Sequence, residues 1–279
     1  MEQNNYKPEY NLLSDAFLGF PLEKYFFPKL SMLIQMAKQE PWDFKSSGFK
    51  DPLNPYPILY NYLNFTYDRL LQENKLAINV DGFTMCFNTG LQTNNEEDIF
   101  AYFVKNKKYP DETTKRWWFV KFCVQTDREM VKHFPVHPEI ANYFENAAEL
   151  VFDKNLLPIK IQYQHIIDDN YDRIFGALKI DNKHMLSQLL QIAVQRAEQR
   201  ALRNYKIAIP QLYTDKTTGT SKIQLLLPLF IQSPIKADLA LVVEKIEQSY
   251  VGKTILPLDW AYMNSRRIVR PDIDWIAIL

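Results

Sequence analysis

Residues 250–279 decide the fold of this chain, and they read YVGKTILPLDWAYMNSRRIVRPDIDWIAIL. The stretch opens with the apolar segment TILPL at residues 254–258, whose alternation and β-branched side chains predict a strand. Asp259 follows where we expect a helix to begin, because its carboxylate accepts hydrogen bonds from the free N–H groups of a first turn. Aromatic residues and arginines fill the turns beyond it, and Trp275 brings the chain back to apolar surface. We therefore expect this end of the chain to pack into the core.

Upstream of this stretch, residues 183–205 form the clearest predicted helix. Its apolar and small side chains recur at helical spacing, which predicts a buried stripe that a neighbouring element can approach closely. The stripe consists of Leu186, Leu190, Ala193, Ala197 and Ala201. Strands are predicted on its C-terminal side at residues 205–212, 222–231 and 237–243.

The first half of the chain is predicted to be helical at its beginning and then rich in strands. Helical spacing favours helices at residues 17–39 and 58–74, and a short helix is expected at 138–152. A hairpin at 76–87, strands at 99–104 and 117–124, and a strand or turn at 160–167 complete the pattern. After a loose segment at residues 1–16, we predict one α+β domain over residues 17–279. It has a mostly antiparallel sheet, an N-terminal helical region and one long internal helix.

Composition excludes several classes of protein. The 279 residues carry 33 basic and 33 acidic side chains, so no global positive field attracts nucleic acid, and any anion site must be local. With only 7 glycines, a glycine-rich phosphate loop is not expected. The N-terminus has no secretory pattern and no apolar run is long enough to span a membrane, so we expect a cytoplasmic protein. Cys86 and Cys123 lie in apolar runs and are expected to be buried thiols.

Two clusters in the middle of the chain carry side chains suited to binding. Asn88, Thr89 and Gly90 follow a predicted strand, where an amide, a hydroxyl and a backbone N–H group are suited to hold a phosphate or a base edge. The alternative is that Asn and Gly simply make a turn. His165 stands close to Asn170, Arg173 and several acids, and a His beside carboxylates can act as an acid or base near neutral pH. The alternative here is a solvated surface turn.

Two further clusters are rich in arginine, whose guanidinium group matches phosphate geometry. Arg200 lies on a ridge with Arg196 and Arg203, next to Asn204, although an exposed face paired to acids would explain the same pattern. The second cluster is in the C-terminal stretch and contains Asp259, Tyr262, Arg266, Arg267 and Arg270. Catalytic signatures for hydrolases, P-loop proteins, metalloproteases and dinucleotide-binding proteins are absent from the sequence. We expect no metal site and no cofactor.

A series of motifs resembles a bacterial family of domains of unknown function. They are FNTGL (87–91), HIIDDNYDR (165–173), RALRNYKIAIPQLY (200–213), IQLLLPL (223–229), DLALVV (238–243) and residues 250–275. The segment LIQMAKQEPWDF (33–44) also resembles the first motif of the family pattern. The family pattern has FNTGL early and TILxLDxAYxxAR near its end. Ser265 stands where the pattern usually has Ala, and Arg267 where it often has an apolar residue. The resemblance covers roughly residues 25–279.

The resemblance implies a role directed at RNA or nucleotides, because members of this family are often fused to OST-HTH/LOTUS or cold-shock modules that bind RNA. Two functions from different classes follow. In the first, the protein is a metal-independent enzyme with His165 and Asp259 as catalytic residues. A phosphate clamp and a nucleotide pocket complete its site, formed by Arg173, Arg200 and Arg266 and by Asn88, Thr89, Gly90, Asn170, Asn204 and Tyr262. In the second, the same pocket binds RNA or a nucleotide without chemistry. A protein-interaction effector is a third possibility, and the sequence does not predict an oligomeric state.

Overall fold

The computed structural model describes residues 12–19, 22–42, 54–107, 115–215 and 218–271. These residues form two compact units, one ending at Tyr143 and the other beginning at Phe144. Each unit contains a five-stranded sheet and its own helices. The C-terminal residues expected to dock in the core, from Asp272 through Trp275 to Leu279, lie outside the described residues.

The first unit is built on a mixed sheet with the strand order β1-β5-β4-β3-β2, in which β1 pairs in parallel with β5 and the other pairs are antiparallel. Its strands are β1 (Ala16–Phe17), β2 (Ala77–Ile78), β3 (Thr84–Gln92), β4 (Asp98–Lys105) and β5 (Trp117–Val124). Its helices are α1 (Leu12–Asp15), α2 (Leu22–Tyr25), α3 (Phe27–Met36), α4 (Pro57–Gln72) and α5 (Arg128–His133). The predicted hairpin of residues 76–87 is thus the β2–β3 pair.

The core of the first unit is aromatic. Helix α4 starts with Pro57, whose fixed φ suits a first helical turn. The helix buries the face predicted from its spacing, including Tyr62 and Leu70. From α4, Tyr67 meets Phe87 of β3 with ring centroids 5.5 Å apart, and edge-to-face and stacked rings continue the contact across β4 and β5. Because the sheet packs on these helices, its polar side chains lie at strand ends and at bulges.

Residues 12–16 differ from the prediction of a loose N-terminal segment. Leu12 and Ala16 are buried, and β1 pairs with the start of β5. The Tyr67 hydroxyl donates a hydrogen bond to the buried carboxylate of Asp15, and burial together with that carboxylate raises the pKa of Tyr67. Residues 12–16 are ordered, although this part of the sequence is polar, because their few apolar side chains and one acid contact the core.

The second unit contains a mixed sheet with the strand order β6-β10-β9-β8-β7, parallel only between β6 and β10. Its strands are β6 (Leu157–Lys160), β7 (Ile209–Thr214), β8 (Ser221–Leu229), β9 (Leu239–Ile246) and β10 (Ser249–Leu256). Its helices are α6 (Tyr163–Leu178), α7 (Lys183–Arg203) and α8 (Leu258–Arg266), with short 3-10 turns at Ala147–Leu150 and Tyr205–Ile207.

Helices α6 and α7 cover the sheet of the second unit. The Asn182 side chain caps α7 by accepting a hydrogen bond from the Met185 N–H at 3.0 Å. All five residues of the predicted stripe on α7 are buried, and they share a core cluster with alternate residues of β8 and β9 such as Leu227 and Leu241. This packing leaves the end of β10, which leads into α8, next to α6.

The α+β class with mostly antiparallel sheets, early helices and one long internal helix is confirmed. The strands form two such sheets rather than one, and the prediction of a single domain over residues 17–279 stays a prediction. In the part of the chain that the structure describes, no helix is long and apolar enough to cross a membrane.

Two local predictions are wrong. Of residues 138–152 only Ala147–Leu150 is helical, as a 3-10 turn. The carbonyl groups of Pro138, Ile140 and Asn142 instead accept hydrogen bonds from side chains of the first unit, so they do not form a helical ladder. Residues 160–167, predicted as a strand or turn leading to residues 165–173, lie from Tyr163 onwards in α6, because Ile166, Ile167, Ile174 and Leu178 supply an apolar stripe at helical spacing.

Candidate functional site

The NTG motif forms a bulge inside the sheet of the first unit. The Asn88 amide donates to the Asp98 carboxylate at 3.0 Å and its carbonyl accepts from the Gly90 N–H at 2.9 Å. The Thr89 hydroxyl donates to the Ile99 carbonyl oxygen at 2.6 Å. The β3–β4 register shifts between Asn88 and Leu91, and Gly90 has a φ of +71°. These contacts support the turn interpretation of the motif, and the ligand-binding role of its three residues stays a prediction.

His165 lies on the solvent side of α6 in the second unit. Its Nε2 atom is 3.2 Å from Oδ2 of Asp169, one helical turn later, and the two side chains are 69% and 58% exposed. The neighbouring Asp168 pairs with Lys183 at 2.6 Å, and this contact lowers the pKa of the Asp168 carboxyl. Asp168 of the HIIDDNYDR segment therefore already has a cation of its own, and Asp169 contacts the ring of His165.

Asn170 and Arg173, from the same segment, meet the end of β10. Asn170 is buried and has a non-helical φ of −120° that interrupts α6. The side-chain Oδ1 atom of Asn170 accepts hydrogen bonds from Nη1 of Arg173 at 2.9 Å and from the Thr254 hydroxyl at 2.7 Å. Arg173 Nη1 also lies 3.4 Å from the Ile255 carbonyl oxygen. One nitrogen of a half-buried guanidinium is thus tied to the fold.

The guanidinium of Arg173 also covers the indole of Trp260, the third residue of α8. Its Cζ atom is 4.8 Å from the ring centroid, which is cation–π geometry. Trp260 keeps 36% of its surface exposed. Two segments that the sequence analysis singled out separately, HIIDDNYDR and TILPLDWAYMNSRR, therefore converge at one place on the surface of the second unit.

Helix α8 has a buried face and an open face. The buried face contains Asp259, Tyr262, Ser265 and Arg266, with Asp259 fully buried and Arg266 only 6% exposed. The open face contains four residues that are exposed or half-buried: Trp260, Met263, Asn264 and Arg267. Their spacing of three, four and seven residues puts them on one side of the helix. We call Arg173 together with these four residues the α8 surface.

The start of α8 differs slightly from the prediction. The helix begins at Leu258 after Pro257, and Asp259 lies within the first turn rather than at its cap. A carboxylate in a first turn is still favoured by the positive end of the helix dipole. The burial of Asp259 therefore has a structural reason that does not require a ligand.

The predicted catalytic pair does not share an open cleft in this structure, because His165 is largely exposed while Asp259 has no exposed surface. Tyr262 is likewise buried, at 1% exposure. A ligand in solvent can contact Arg173 but not Asp259, Tyr262 or Arg266 unless α8 moves. The catalytic and binding roles of these residues stay predictions.

Arg200 and Asn204 have contacts within the fold. The Arg200 guanidinium lies 3.8 Å from the centroid of the Phe230 ring and donates to the Pro234 carbonyl oxygen at 3.3 Å. Asn204 ends α7, and its side chain accepts from the Lys206 N–H at 3.2 Å. Their part in a phosphate ridge stays a prediction. Among the described residues, no three His, Cys, Asp or Glu side chains are placed to hold a metal ion.

Comparison with known proteins identifies the family. A family model described as "Domain of unknown function (DUF3825)" matches residues 33–275. The chain belongs to the DUF3825 family. No curated protein and no solved structure matches it. The DUF3825 match includes every residue of the α8 surface, from Arg173 to Arg267, so this surface belongs to the family domain itself.

Sequence reasoning singled out helix α8 of the DUF3825 domain, but the residues it chose lie on the buried face of that helix. Asp259, Tyr262 and Arg266 recur at helical spacing together with the small residues Ala261 and Ser265, and small residues on one stripe are typical of a helix face that packs closely. That signal predicts burial of the stripe. Trp260, Asn264 and Arg267 are the residues that the same periodicity assigns to the open side.

Proposed function

We propose that this DUF3825 domain binds single-stranded RNA, without catalysis, through the α8 surface. The observation that carries the proposal is the half-exposed Trp260 ring held under the guanidinium of Arg173. An aromatic ring beside an arginine is the arrangement that stacks an unpaired base and contacts its phosphate. The RNA-binding modules expected as fusion partners of the family point to the same class of ligand.

Preorganisation of the arginine supports the proposal. Arg173 makes its hydrogen bonds to the fold through Nη1, and none is formed by Nε or Nη2 within the part of the chain that the structure describes. A guanidinium held in one orientation loses less side-chain entropy when it binds a phosphate. Asp168 pairs with Lys183 at 2.6 Å, so this acid on α6 is already engaged with a cation other than Arg173.

The rest of the open face fits the same ligand. Asn264 offers an amide with donors and an acceptor for a base edge, and Arg267 adds a second positive charge one turn further along. Met263 supplies apolar surface between them. With a net charge of +0, the whole protein offers no general attraction for nucleic acid, so binding must depend on this local set.

Binding is favoured over catalysis because the predicted catalytic groups are not presented together. A general acid and base must reach the same substrate atoms. His165 is on the solvent side of α6, while the carboxylate of Asp259 is enclosed. The α8 surface, by contrast, is accessible and combines ring, cation and amide without requiring any group to be uncovered.

Removing the Arg173 charge tests the proposal. We expect Arg173→Gln to weaken binding of a fluorescently labelled, unstructured RNA oligonucleotide by about tenfold or more, since a hydrogen bond to a charged group contributes about 1.5–3 kcal/mol. Affinity is measured by anisotropy at several salt concentrations. With about two phosphates contacted, the logarithm of the binding constant should fall with the logarithm of salt with a slope between about −1 and −2.

The matched control is Arg196→Gln, which removes the same charge from an exposed position on α7 of the same unit. It should leave affinity within about twofold of the unmodified protein. Equal losses in the two variants, or a salt slope several times steeper, would mean that binding is diffuse rather than centred on the α8 surface.

A further inference from the structure

A second site is suggested by a cavity of about 450 Å³ at the C-terminal end of α7. One wall is the segment that leads from the Ala147–Leu150 turn to β6, including Phe152, Lys154 and Asn155. The opposite wall is the last turn of α7 with Leu202 and Arg203, followed by Tyr205. A volume of this size is within the range of cavities that enclose small ligands.

The lining of the cavity includes apolar side chains and an exposed aromatic ring. Phe152 is buried and stacks on Tyr250, with ring centroids 4.6 Å apart, so this wall is rigid. The rim is formed by Tyr205, which keeps 57% of its surface exposed, and by Leu202. An exposed tyrosine at the edge of an apolar cavity offers a face on which a planar ring can stack.

The charges at the rim favour an anion. Lys154 and Arg203 are exposed, and among the described residues neither forms an ion pair. The acid that lines the same cavity, Asp153, is already engaged. One of its oxygens pairs with Lys245 at 2.9 Å and the other accepts from the Asn155 N–H at 3.0 Å. The Lys245 contact lowers the pKa of the Asp153 carboxyl.

We propose that this cavity binds a nucleoside 5′-monophosphate, with the base stacked on Tyr205 and the phosphate held by Lys154 and Arg203. The site takes a small ligand and does not depend on the α8 surface. The carbonyl groups at the end of α7 carry partial negative charge, so the phosphate must sit against the side-chain cations and away from the helix axis. An aromatic ring and two cations on one cavity rim match the two halves of a nucleotide.

Calorimetric titration of the full chain at low salt with adenosine, guanosine, cytidine and uridine 5′-monophosphates tests this site. We expect at least one of them to bind. Lys154→Gln and Arg203→Gln, both at exposed positions, should each weaken binding by about tenfold or more, as expected for the loss of a charge-assisted contact. Tyr205→Ala should weaken binding more than either cation variant does. Tyr205→Phe, which keeps the aromatic ring, should retain most of the affinity.

Two ligand controls and two variant controls decide whether the monophosphate binds at this site. Inorganic phosphate and the unphosphorylated nucleosides should each bind at least about tenfold more weakly than the monophosphate. Arg196→Gln, on the same helix, and Trp260→Ala, on the α8 surface, should not change the monophosphate affinity. The proposal is overturned if no monophosphate binds, if the two cation variants bind like the unmodified protein, or if phosphate alone binds as tightly. Loss of binding in Trp260→Ala would likewise overturn it and assign the nucleotide to the α8 surface.

Discussion

Gly90→Ala is expected to lower the free energy of unfolding by about 2–4 kcal/mol. Gly90 has a φ of +71°, a conformation that costs an alanine about 1 kcal/mol. A Cβ atom at this position would lie 2.6 Å from the Tyr62 hydroxyl oxygen. That hydroxyl donates a buried hydrogen bond to the Thr89 carbonyl oxygen at 2.7 Å, so displacing it leaves a buried polar group unsatisfied at a cost of about 1–3 kcal/mol. Denaturant unfolding of the purified variant measures the sum.

Gly82→Ala is the matched control for this prediction. Gly82 lies in the turn between β2 and β3 and has the same φ of +71°, but nothing lies within 4 Å of its would-be Cβ atom. It should therefore lose only the conformational part, about 1 kcal/mol. If the two variants unfold at the same denaturant concentration, the tight contact of the NTG bulge with α4 is not a source of stability.

Arg266→Ala is expected to destabilise the protein by about 1.5–3 kcal/mol, the usual range for a charged side chain that loses its contacts within a fold. Arg266 lies on the inner face of α8, is only 6% exposed and is engaged within the fold. Thermal unfolding followed by circular dichroism measures the effect as a lower melting temperature.

The neighbouring Arg267 provides the comparison for this second prediction. Arg267 is the next residue but lies on the open, half-buried face of α8. Arg267→Ala should cost about 1 kcal/mol or less, in the range of surface substitutions. If Arg266→Ala proves as stable as Arg267→Ala, then the assignment of the inner and outer faces of α8 is wrong.

Periodicity predicted the long elements well because tertiary packing agrees with it there. The stripe on α7 is regular, so it was visible in the sequence. Helix α6 was missed because Asp168, Asp169 and Asn170 are typical of turns, and in the structure Asn170 does interrupt the helical backbone. The four apolar residues of α6 are buried because they pack against the sheet, and local propensity does not show which element a helix packs against.

The candidate site could be anticipated only in part from the sequence. Residue types singled out HIIDDNYDR and the C-terminal stretch, and the structure brings Arg173 of the first into contact with Trp260 of the second, while their binding role stays a proposal. The sheet beneath α8 determines which side of the helix is open. Asp259 and Arg266 are charged, so the sequence did not indicate that they are buried. The NTG motif shows the converse case, since its polar groups are used to hold a bulge.

The most direct test of RNA binding through the α8 surface is a titration of one labelled single-stranded RNA with the unmodified protein, Trp260→Phe and Trp260→Ala. Stacking of a base on an aromatic ring contributes about 1–3 kcal/mol, so Trp260→Ala should weaken binding between about fivefold and 150-fold. Trp260→Phe, which keeps an aromatic ring beside Arg173, should retain most of the affinity. Melting temperatures measured in parallel show that each variant is folded. RNA affinity that is the same in all three proteins, or undetectable in the unmodified one, would contradict the account.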